Sequence, residues 1–186
     1  MKRLFAAVFL IFCLTGCSHK TAPNDKAMSL RESLLTSNGT TFQAVVTADY
    51  GDALHSFTLD CTEDTSGNIS FIVTQPETIA GITGIVSQDR SAFTFDDKVL
   101  AFPPLSEGQL SPVIAPYLFI KSLRSGYISA CGKEGDGFCI YIDDSYFENQ
   151  LKLQIYTDVD FTPVRAEIVY LNQRILSIDI IDFSLL

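Results

Sequence analysis

The chain contains no tryptophan, two histidines, and 13 lysines and arginines against 22 aspartates and glutamates. That shortage of cations, with a net charge of −9, excludes nucleic acid as a partner, because phosphate contacts need Lys and Arg. His19 and His55 are too few for much of histidine chemistry. A zinc centre takes three or four His, Cys or acidic ligands. Cys131, Cys139 and His55 could supply three, but burial or a disulfide accounts for the cysteines better. A Ser-His-Asp triad would have to use His55, and no Gly-x-Ser-x-Gly elbow accompanies it. The acidic pairs Asp96-Asp97, Asp143-Asp144 and Asp158/Asp160 fall at apparent turns, where solvated carboxylates are ordinary. Glu134-Gly135-Asp136-Gly137 lacks calcium-loop spacing. The expectation is no enzyme, no cofactor and no metal. Internal repeats and blocks of like charge are also lacking.

What is present begins with Lys2 and Arg3, an apolar run from Leu4 to Leu14, and Gly16 directly before Cys17. Eleven helical residues span only about 16 Å, short of the roughly 30 Å hydrocarbon core. The pattern is that of a secretory signal peptide, and Leu14-Thr15-Gly16-Cys17 resembles the lipobox of bacterial lipoproteins. By that resemblance, Cys17 carries a thioether-linked diacylglycerol and becomes the first residue of the mature protein. Residues 1–16 then form a lipoprotein signal peptide, 17–26 a lipidated tether and 27–186 the folded domain, held at the extracytoplasmic face of the cell membrane. Two acyl chains anchor durably where one does not. The excised segment holds two basic and no acidic residues, so the mature charge falls to −11. A surface this acidic is repelled by anionic headgroups, so the lipid must hold the protein at the membrane.

Three cysteines remain in the domain. Cys131 and Cys139 flank a turn-rich segment between apolar runs, and outside the cytoplasm they could form a hairpin disulfide or stay as two thiols. Cys61 lies mid-strand in an alternating pattern and reads as a small buried hydrophobe.

Met28, Leu30, Leu34 and Leu35 predict a short amphipathic helix over 27–37, stopped by Asn38-Gly39. Alternation of apolar and polar residues then predicts half-buried antiparallel strands over 41–50, 55–62 and 69–73, with Pro76 ending the third. The stretch 79–86 reads as a bent edge strand, and 93–102 as a hairpin. Ser111-Pro112 starts a very apolar helix through Leu123, with Lys121 and Arg124 placed to complement its dipole. Strands resume at 127–131, 138–142, 151–155, 164–168 and 175–183. The reading is α+β: eight to ten sequential antiparallel strands curling into an open half-barrel, its concave face covered by one or two helices. Phe42, Phe57, Phe71, Phe93, Phe95, Val113, Tyr117, Leu118 and Phe119 are candidates to line a cavity there, or else to fill a core.

This order of elements resembles the superfamily of the lipoprotein carrier LolA and its receptor LolB. The local matches are the strand from Gly67 to Pro76, Ser87-Gln88-Asp89-Arg90 before Phe93-Thr94-Phe95, and Thr162-Pro163-Val164-Arg165-Ala166-Glu167-Ile168. The resemblance implies an open barrel lined with apolar side chains that takes a lipid or acylated ligand. The arginine that the carriers place after the proline is absent, because Pro76 is followed by Glu77-Thr78-Ile79-Ala80-Gly81. An anchored, acidic chain without it is similar to germination lipoproteins of Gram-positive spore formers, which implies a second role: docking or stabilising a cell-envelope protein without carrying lipid.

Overall fold

The computed structural model describes residues 22–49, 54–88, 91–95, 98–102, 105–106, 109–144, 151–170 and 172–186. The apolar run, Cys17 and Asp96-Asp97 therefore lie outside the described residues, and no described helix is long and apolar enough to cross a membrane. Two meanders make the sheet. The first comprises β1 (Thr40–Asp49), β2 (Leu54–Glu63), β3 (Ile69–Gln75), β4 (Thr83–Val86), β5 (Ser91–Phe95) and β6 (Lys98–Phe102). After the short hairpin β7 (Leu105–Ser106) and β8 (Gln109–Leu110), the second comprises β9 (Tyr127–Glu134), β10 (Gly137–Asp143), β11 (Leu151–Thr157), β12 (Pro163–Tyr170) and β13 (Gln173–Leu185). Among the described residues these form one eleven-stranded antiparallel sheet in the order β6-β5-β4-β3-β2-β1-β13-β12-β11-β10-β9. The seam is β1 against β13, with Val46 opposite Ile178 and Ala44 opposite Ile180.

Alternation fixes the two faces, since residues opposite each other share a face and chain neighbours do not. Phe42, Ala44, Val46 and Ala48 are buried, as are Leu153, Ile155, Ile168, Leu176 and Ile178 from the facing strands. Gln43, Asp60, Arg165 and Asp179 stand on the outer side. The stretch 79–86 was expected at an edge. A 3-10 turn over Glu77–Ile79 instead feeds β4 into the sheet interior, between β3 and β5. Gly84 permits this, because a Cβ there would sit 2.4 Å from the Phe71 ring.

Helix α1 (Pro23–Thr36) begins four residues earlier than the apolar spacing suggests, inside the stretch read as tether, because Pro23 suits a first helical turn. It ends on extended Ser37 rather than on a left-handed residue. Gly39 is needed for a different reason: at φ +143° a Cβ would collide with the Glu63 carbonyl oxygen, 2.1 Å away. Helix α2 (Ala115–Ser125) follows a 3-10 turn over Pro112–Ile114, and the Ser111 side chain makes no cap. Residues from Ala115 to Ile120, Ser122 and Leu123 are all buried, so α2 is the plug of the half-barrel.

Polar groups hold that plug. Arg31 of α1 donates from Nε to the Leu123 carbonyl at 2.6 Å and from Nη2 to the Gly126 carbonyl at 2.6 Å, capping the C-terminal end of α2. Lys121 and Arg124, placed near the C-terminal end of α2 to complement its dipole, each also meet a buried carboxylate. Lys121 lies 3.0 Å from Asp144, so Asp144 is not the solvated turn residue anticipated. Arg124 pairs with the fully buried Glu63, Nε to Oε1 at 2.6 Å and Nη2 to Oε2 at 3.1 Å, and Thr40 donates to the same carboxylate.

Removing one partner of a buried ion pair leaves an uncompensated charge and costs about 3–5 kcal/mol, whereas replacing both is often neutral. Arg124→Met is therefore expected to lower stability by about that amount in urea unfolding. The double variant Glu63→Met/Arg124→Met is expected to recover most of the loss.

Candidate functional site

The apolar residues proposed to line the half-barrel go two ways. Phe42, Phe71, Tyr117, Leu118 and Phe119 are buried in the core, and Phe57 and Val113 pack half-buried against it. The side chains of Phe93 and Phe95 lie outside the described residues. Phe119 from α2 meets Phe42 edge-on at 5.6 Å between ring centroids, and Phe183 of β13 closes the cluster at 6.0 Å from Phe42 and 6.2 Å from Phe119. The centre of the half-barrel is thus occupied by its own side chains.

Open space lies instead at one mouth, where α1 runs past the turn between β11 and β12. Lys26, Leu30 and Ser33, spaced four and three residues apart, share one helix face there. The opposite wall is the 158–162 turn with Pro163, and Phe183 and Leu185 of β13 complete the groove. The turn is built locally. The Asp158 carboxylate accepts from the backbone N–H of Asp160 and of Thr162, each at 2.9 Å, and Phe161 takes a positive φ of 66°. That conformation lays the Phe161 ring against Phe138, centroids 4.3 Å apart. The Lys26 ammonium sits 5.1 Å above Phe161 and 5.6 Å above Phe138, a cation–π contact that pins the first turn of α1 to the far wall. The groove encloses about 500 Å³, within the roughly 300–1,000 Å³ of ligand sites.

Sequence reasoning missed Lys26, Phe161 and Phe183. The available signal was Val159 and Phe161, two apolar residues inside a turn that its aspartates mark as polar. A second groove of about 530 Å³ lies on the outer face of β2 to β5. It is walled by Asp60, Thr62, Ser70, Thr83 and Thr94, with Ile72 and Ile85 exposed and Phe71, alone of the anticipated residues, reaching it.

The Cys131–Cys139 bridge is not formed: both are free thiols, as is Cys61. Register is the cause. Cys131 stands opposite Ile140 and Cys139 opposite Gly132, so the two sulfurs occupy opposite faces of the hairpin. Burial raises all three thiol pKa values, Cys139 to about 11, with the carboxylates of Glu134 and Glu167 adding to the effect there. Among the described residues no cluster of three His, Cys, Asp or Glu is placed to hold a metal.

The fold has counterparts among solved structures. The chain is similar to a DUF1329 family protein from Desulfovibrio piger, at 12% identity and TM-score 0.52 over 87% of this chain and 90% of that one. It is also similar to a LolA superfamily protein from Nitrosomonas europaea, at 10% identity and TM-score 0.44 over 86% and 93%. A further match is a chain of the complex between the CwlD amidase and the GerS lipoprotein of Clostridioides difficile, at 13% identity and TM-score 0.41 over 86% and 92%. No family model matches the sequence, and no curated protein matches it. The open half-barrel with helices on its concave face, expected from the order of strands and helices, is the architecture observed.

A thiol held protonated is a poor nucleophile. Alkylation of Cys139 by iodoacetamide in the folded protein is expected to be slow at pH 8 and to accelerate as pH approaches about 11. Peptide mass mapping of a pH series measures this.

Proposed function

We propose that this chain is a non-enzymatic lipoprotein, anchored through Cys17 to the extracytoplasmic face of the cell membrane, that binds a hydrophobic lipid or acylated ligand. The ligand seats in the mouth groove between α1 and the 158–163 turn, because the centre of the half-barrel is filled. The observation that carries this reading is an open space of about 500 Å³ whose walls include Leu30, Phe161, Pro163 and Phe183. Lys26 at its rim gives an anionic or polar headgroup something to meet. No cofactor or nucleic acid enters the reading.

The packed Phe42–Phe119–Phe183 interior favours a second reading, in which the same fold docks or stabilises a cell-envelope protein and carries no lipid. Native mass spectrometry of protein purified from cells separates the two. Co-purifying acyl species that disappear in Ser29→Trp, a ring projected into the groove, support ligand binding. A bound protein with no acyl species supports docking. The anchor has its own test: Cys17→Ala protein is expected to leave the membrane fraction on alkaline washing, and its retention would overturn acyl anchoring.

A further inference from the structure

We infer that one acyl chain of the Cys17 lipid folds back into the mouth groove, so that the domain shelters part of its own anchor. This rests on the proposed acylation of Cys17 and on the groove, whose apolar walls are interrupted by Ser29, Ser33, Asp160 and Thr162, taking a hydrophobic ligand.

Reach permits it. The five links from Cys17 to Ala22 extend to at most about 18 Å, and Lys26, at the groove rim, lies within one helical turn of Pro23. Position favours it. The Lys26 ammonium over Phe161 and Phe138 holds the first turn of α1 against the groove's far wall, so the chain emerges from α1 beside the groove opening and not across the barrel from it. Chemistry favours it too. Leu30, Phe161, Pro163 and Phe183 present apolar surface, and Val159 is exposed beside the opening. A lipid on a six-residue leash is the apolar group at highest local concentration there.

The consequence is a reversible grip. With one chain withdrawn, the protein holds the bilayer by what remains, and single-chain anchoring is weak. A ligand entering the groove displaces the chain into the bilayer and tightens attachment, because the two occupants compete and the coupling is reciprocal.

The experiment feeds cells a palmitate analogue bearing a terminal diazirine, irradiates membranes containing the full-length protein, and maps adducts by mass spectrometry. The expected result is intrachain adducts on Leu30, Phe161 or Phe183, lost in Ser29→Trp. Ser29 is exposed and its hydroxyl bonds to the Asp25 carbonyl, so the fold tolerates the change. Adducts confined to phospholipid, or unchanged in Ser29→Trp, overturn self-occupancy. A second arm offers the same analogue, unattached, to the Cys17→Ser chain. Labelling of the groove there without intrachain adducts in the acylated protein removes self-occupancy and leaves ligand binding standing. Absence of labelling in both arms removes ligand binding by the groove together with self-occupancy.

Discussion

The carbonyls at the C-terminal end of α2 are the constraint on which the rest of the structure turns. A helix end buried without partners leaves polar groups unsatisfied in a low-dielectric interior. Here the Arg31 guanidinium, delivered from α1, reaches the carbonyls of Leu123 and Gly126. One side chain thereby fixes three things: how deeply the plug sits, where α1 lies across the mouth, and how wide a gap remains beside the 158–163 turn. Glu63 and Arg124 act on the same helix end from the sheet side. The helix that fills the centre and the groove that opens at the rim follow from one arrangement.

Filling and opening are complementary here. Phe119 enters the aromatic cluster from above and Phe183 from the sheet, and Phe183 shows its other side to the groove. The apolar floor at the mouth is therefore the outer surface of the core, rigid because the core is packed. A pocket of that kind keeps its shape when empty, which lowers the ordering cost of binding.

Much of the fold was legible. Period-two alternation in Phe42 to Ala48 and in Leu153 to Ile155 placed strands and their inner faces correctly, because a half-buried antiparallel strand has few other ways to be written. The site was less so. Phe42, Tyr117 and Phe119 look alike in sequence whether they line a cavity or fill one, since only the depth of α2 decides, and Arg31 sets that depth from 92 positions away in the chain. Cys131 and Cys139 seemed suited to face each other until a one-residue register put them on opposite faces. Phe161 was overlooked because the aspartates around it marked the turn as solvated, although two apolar residues there were the signal that a ring at positive φ packs inward.

The seam between β1 and β13 has a kinetic meaning. Its partners, Val46 and Ile178 among them, are separated by almost the whole domain, and pairings of such high contact order form slowly. Until β13 has been made, β1 offers one bare edge to whatever strand comes near. A chain of this design spends its early life half-zipped, and its yield will depend on how well the surrounding machinery keeps that edge from other chains.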